Sequence, residues 1–120
     1  MLLVSIGTGK LTLAQDPVDP RPIPEPTDEE RAINESVRAM NHCAPIYPDS
    51  AAAIQQEGWV IVEFTVSAEG VPTGGYVVDA SPPDVFDASA MEFLSKCRLQ
   101  RVDGEAVETH GVRWQVLFEL

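Results

Sequence analysis

The chain has 120 residues, 44% of them hydrophobic, and a formal net charge of −11 at pH 7. This bounds it to one domain with tails and enough apolar material for a core. The acidity excludes nucleic acid and an anionic membrane surface as partners, since both need a basic face, and no apolar run approaches the ~20 residues of a membrane span.

In chain order, Met1 to Ile6 is apolar, and Thr12-Leu13-Ala14 offers small residues at −3 and −1 of a cleavage site. The start reads as a secretory signal, as a disordered start, or as a start codon placed too far downstream. Pro17, Pro20, Pro22, Pro24 and Pro26 follow among acids. Proline lacks the backbone donor and biases its predecessor toward extended backbone. Residues 1–26 are therefore expected to form a mobile arm outside the core, and residues 27–120 the folded domain.

Thr27 followed by Glu30 reads as a capping box. Asp28 and Glu29 add charge at the favourable helix end. Ile33, Val37 and Met40 then predict a helix that runs to about His42. Pro45 and Pro48 enforce an extended stretch around Tyr47. Asp49 or Ser50 is expected to cap a short helix over residues 51–54, with Gly58 as its stop.

Residues 59–66 alternate, with Val60, Val62, Phe64 and Val66 on one face and Trp59, Ile61, Glu63 and Thr65 on the other. Ser67 to Gly70 reads as a hairpin loop, and a second strand runs over about 71–80. Gly74-Gly75 within it marks a bulge or close approach. A further helix is expected from Asp84, as N-cap, to about Cys97, burying Phe86, Ala90, Phe93, Leu94 and Cys97. Asp103-Gly104 makes a turn. The last strand sets Val112, Trp114, Val116, Phe118 and Leu120 on one face, against Arg113, Gln115, Leu117 and Glu119.

The expected fold is α+β: a small three-stranded antiparallel sheet in split β-α-β order, with helices packed on one face. A right-handed crossover puts the first strand between the other two. The last strand then has an open edge, blunted in part by Arg113 and Glu119. Such an edge is either a protected end of the sheet or a docking site for an extended peptide.

No catalytic constellation is visible. His42 adjoins Cys43, but neighbouring side chains in an extended chain diverge. His110 is a lone loop histidine. Asp84 and Asp87 read more simply as helix-capping residues than as paired catalytic carboxylates. Gly7-Thr8-Gly9-Lys10 matches a phosphate loop only superficially, and no C-x-x-C or H-x-x-x-H occurs. No cofactor and no metal are expected.

The ordered pieces Pro45-Ile46-Tyr47-Pro48, Gly58 to Val66, Glu69-Gly70, Ser81-Pro82-Pro83, Phe86-Asp87 and Gly111 to Leu120 resemble the C-terminal domain of the TonB family over roughly residues 45–120. That resemblance implies a periplasmic module that binds partners and performs no chemistry. It implies that the edge strand, here Val112, Arg113, Trp114, Gln115, Val116, Leu117 and Phe118, pairs with an extended peptide of an outer-membrane TonB-dependent receptor or another envelope protein. The chain departs from the family where Cys97-Arg98 replaces a helix-terminal Trp-Arg and where Arg101-Val102-Asp103 lacks the usual proline. A membrane anchor is not seen, so a soluble relative is expected rather than an energy transducer.

In an exported protein, Cys43 and Cys97 suggest one disulfide, closing a loop worth about 4 kcal/mol in the chain-entropy model. In a cytosolic one they read as two free buried thiols. The alternative function is a structural or regulatory envelope domain that reuses the fold and self-associates, as a homodimer, through its edge strand.

Overall fold

The computed structural model describes residues 16–120; the signal reading and the Gly7-Thr8-Gly9-Lys10 motif lie outside the described residues. The elements are α1 (Asp28–Glu35), β1 (Val37–Ala39), α2 (Asp49–Ala53), β2 (Gly58–Val66), β3 (Pro72–Ser81), α3 (Asp87–Lys96), β4 (Leu99–Arg101) and β5 (Thr109–Phe118). The main sheet is antiparallel in the order β3-β2-β5, as the split β-α-β reading requires, and β1 pairs with β4 in a second, two-stranded sheet.

The capping box that opens α1 is formed. Glu30 N–H donates to Thr27 Oγ1 at 3.1 Å, and Thr27 N–H donates to Glu30 Oε1 at 2.9 Å. The helix does not reach His42 as expected but stops at Ser36. Val37 to Ala39 instead pairs with Leu99 to Arg101. Val37 and Leu99 are thereby buried, whereas Met40 is exposed. A tertiary pairing that buries two apolar residues outweighs a narrow helical stripe.

α2 also departs from expectation. Pro48 precedes its first turn without a side-chain cap, and the left-handed residue after it is Gln55 rather than Gly58. Gly58 opens β2, where a Cβ would lie 2.3 Å from the Ser81 carbonyl oxygen. α3 begins at Asp87, not Asp84. Asp84 adopts a left-handed backbone, and its N–H donates to Asp87 Oδ1.

Val60, Val62, Phe64 and Val66 from β2 form the core with Val112, Val116 and Phe118 from β5 and with Phe86, Ala90, Leu94 and Cys97 around α3. Phe86 stacks on Phe118 at 4.4 Å between ring centroids, and Tyr47 meets both rings edge-on. Tyr47 donates its hydroxyl hydrogen bond to the Gln56 carbonyl. Burial, and secondarily Glu57, raises its pKa. The register of β2 and β3 shifts opposite Gly74-Gly75, the expected bulge, and a Cβ on Gly75 would meet Leu94 and Met91.

Cys43 and Cys97 are joined by a disulfide, with Cα atoms 5.5 Å apart and a sequence separation of 54. The bond fixes the start of the Pro-x-Tyr-Pro segment to the end of α3. At that loop length the chain-entropy model gives about 4 kcal/mol.

Leu120 does not share the core with Phe118. The ladder ends at Phe118 and Leu120 is 67% exposed. Its N–H donates to Glu57 Oε2 at 2.7 Å.

Candidate functional site: the open edge of the last strand

β5 pairs with β2 on one side only, and among the described residues no strand pairs with its other side. Its register runs without a shift from Val112 opposite Phe64 to Phe118 opposite Gly58. The core side is fixed by Val112, Val116 and Phe118, all buried. Trp114 is half-buried and lies against Phe64 and Phe93. Arg113, Gln115 and Leu117 occupy the opposite face.

The direction of the backbone groups follows from one hydrogen bond. Arg113 N–H donates to Asn34 Oδ1 on α1 at 2.8 Å, so it points away from β2. In an antiparallel strand the N–H and C=O of one residue point the same way, and the direction alternates residue by residue. Gln115 and Leu117 therefore direct their donors and acceptors outward as well. Asn34 occupies the first outward position of the edge; the next two are open.

The Arg113 side chain is engaged rather than free to guard the edge. Its Nε donates to Glu63 Oε1 at 2.7 Å and its Nη1 to Glu30 Oε2 at 3.2 Å. Tyr76 donates to the second oxygen of Glu63 at 2.8 Å. Arg113, then Tyr76, hold the Glu63 carboxyl below its ordinary range.

The proline-rich segment is not free of the domain. Residues 16–26 lie across the face of the sheet opposite α3. Val18 N–H donates to Gln56 Oε1, and Gln56 Nε2 donates back to Val18 O, both at 2.9 Å. Arg21 N–H donates to Ser81 Oγ at 2.8 Å, and Trp59 Nε1 donates to Arg21 O at 2.6 Å. The Arg21 guanidinium stands 5.2 Å from the Trp59 ring centroid and pairs with Asp79 at 2.8 Å. The cause is visible in β2: Trp59 and Ile61 are apolar on the face that an exposed sheet would make polar, and both are buried.

This segment and the edge strand enclose a groove of about 760 Å³ that runs beside β5. Pro24 to Thr27 line one side of it; Cys43 to Pro45 and Phe93 line the other. Sequence reading found the strand and the disulfide pair. It missed Asn34, Arg21 and Gln56, which carry no periodic signal. Among the described residues no group of three His, Cys, Asp or Glu side chains is placed to hold a metal. His110 is exposed beside Glu108 and Thr65.

Residues 44–120 match the family model of the Gram-negative bacterial TonB protein C-terminal. Among solved structures, the Pseudomonas aeruginosa TonB C-terminal domain superposes with a TM-score of 0.61 at 24% identity, covering 71% of this chain and 87% of that one. A structure from the molecular characterization of the TonB2 protein of Vibrio anguillarum gives 0.58 at 30% identity, covering 87% and 96%. No curated protein matches. The family match extends from the Pro-x-Tyr-Pro segment to the last residue of the chain, with the same fold in both neighbours, so this chain belongs to the TonB C-terminal domain family.

Proposed function

We propose that this chain is a periplasmic protein-binding module that docks an extended peptide of an outer-membrane TonB-dependent receptor on the open edge of β5. Domains of its family are non-enzymatic and act through protein interaction. Among the described residues no helix is long and apolar enough to cross a membrane. The observation that carries the reading is the pair of outward, unpaired backbone positions at Gln115 and Leu117, which line the groove beside β5. Added strands gain affinity from main-chain hydrogen bonds and specificity from pockets for alternate side chains.

Gln115→Pro and Leu117→Pro test it. Each removes one outward donor and places a ring where the peptide backbone would lie, while the buried side chains of β5 are untouched. Affinity for a receptor N-terminal peptide from the same genome is expected to fall at least about tenfold, the loss of one to two hydrogen bonds. The circular dichroism spectrum should stay nearly unchanged. Equal binding by the proline variants overturns the docking reading. Sedimentation of the wild type as a dimer that the same variants dissociate replaces it with self-association.

A further inference from the structure

The groove beside β5 has a wall that lies outside the family match, which begins at residue 44. Pro24 to Thr27 and Glu30 line it on the side of the sheet bearing Arg113 and Leu117. The chain just before them is tied to the sheet by bonds already described, Val18 to Gln56, Arg21 to Ser81 and Asp79, and Trp59 to the Arg21 carbonyl, and Glu30 is tied to Arg113. A strand added to β5 would point alternate side chains to the two sides of the sheet. On one side it would meet Pro24, Pro26, Ile61 and Leu117; on the other, Pro45, Phe93 and Trp114. The lining as a whole is mainly apolar.

The charge of the groove is one-sided. Arg113 is the cation among its lining residues, and it is already shared by Glu63 and Glu30. Glu30 spends its other oxygen on the Thr27 N–H. Glu25 is exposed at the rim and, among the described residues, has no cation within ion-pair distance. The whole chain carries −11, which steers cationic partners toward it and repels anionic ones.

Asn34 also sets an end to the site. It takes the Arg113 N–H, and the ladder stops at Phe118. Pairing is therefore confined to the stretch that includes Gln115 and Leu117, enough for a segment of about four residues at ~3.4 Å each.

We propose that the segment from Val18 to Glu30 is the outer wall of the docking site, and that the site selects a short extended segment, apolar on both faces, with one basic side chain directed at Glu25. The inference rests on the docking reading above and names the class of peptide that edge takes.

The probes are two acetylated seven-residue peptides of valine and threonine, identical except for lysine or glutamate at the centre. Each is titrated into the full chain, with amide spectra as the readout. The lysine peptide is expected to shift the Gln115 and Leu117 amides and to bind at least about threefold more tightly, the range of one partly exposed ion pair. Glu25→Lys should erase or reverse that preference. Arg21→Ala, which removes the ion pair to Asp79 and the contact with the Trp59 ring and so loosens the wall without touching β5, should weaken both peptides several-fold while the amide dispersion of the β2–β5 pair persists.

If both peptides shift the β5 amides with equal affinity, docking stands and the basic selectivity is overturned. Tighter or unchanged binding by Arg21→Ala overturns the wall, and tighter binding makes the segment a cover. If neither peptide shifts the Gln115 or Leu117 amides, this inference is overturned. The receptor-peptide titration then decides separately whether the docking reading survives.

Discussion

Arg113 shows how one side chain can join three parts of the chain. It takes Glu63 from the neighbouring strand and Glu30 from α1, and Tyr76 completes the group from β3. Arg113 and then Tyr76 depress the Glu63 pKa from its ordinary 4.5. A carboxyl whose pKa falls on folding stabilises the fold above its unfolded value, and the contribution disappears as pH drops through the folded value. Glu63→Gln is therefore expected to cost about 1 kcal/mol at pH 7, with the difference shrinking below pH ~4. Thermal unfolding of both proteins at pH 7 and pH 3 checks this. Asp103, held down to about 2 by Arg101 and by the Glu105 N–H, is present in both proteins, so its titration cancels from that comparison. At this scale the sequence carried a signal at Trp59 and Ile61. Two large apolar groups on the outer face of a strand require a cover. It did not say what the cover was, because the latch is one arginine and a set of backbone groups with no pattern of spacing.

Among the elements, those with a full period were legible. β2, β3, β5 and the stripe of α3 appear where alternation or helical spacing places them. β1 and β4, three residues each, are too short to show a period and exist because they pair with each other. Their partnership also explains why α1 ends early. Gly70 anchors β4 to the hairpin: Leu99 N–H donates to the Gly70 carbonyl at 2.9 Å, and a Cβ at Gly70 would lie 2.3 Å from the Leu99 carbonyl oxygen. Two other glycines give a sharper contrast. At Gly58 an added methyl would strike the Ser81 carbonyl oxygen and the Phe86 ring, both parts of the packed core. At Gly104, left-handed but in open space, only backbone strain opposes it. Gly58→Ala is expected to cost about 3 kcal/mol, the upper range for forced overpacking. Gly104→Ala should cost about 1 kcal/mol. Urea unfolding midpoints rank the two, and equal losses would mean that the β2–β3 junction yields where it is expected to be rigid.

At the scale of the whole molecule, the family fold was readable from Pro45 onward, since ordered short motifs survive where single ones do not. The segment before it was not, and neither was its place on the sheet. The Cys43–Cys97 bond gives the molecule a further property, a mechanical one. Tension applied between the chain on the N-terminal side of Cys43 and its C-terminal end runs from Cys43 through the two sulfur atoms to Cys97, and on into β4 and β5. The covalent path bypasses β2, β3 and α3. β5 therefore lies in the covalent line of the load, while β2, β3 and α3 lie outside it. With the bond intact, the stretch spanned by the sequence separation of 54 stays out of the extended chain. At ~3.5 Å per residue the unfolding step is expected to be about 180 Å shorter than in the reduced protein. Pulling single molecules in an optical trap from residue 16 and residue 120, with and without reductant, measures that difference. Identical step lengths would place the load on β2 and β3 after all.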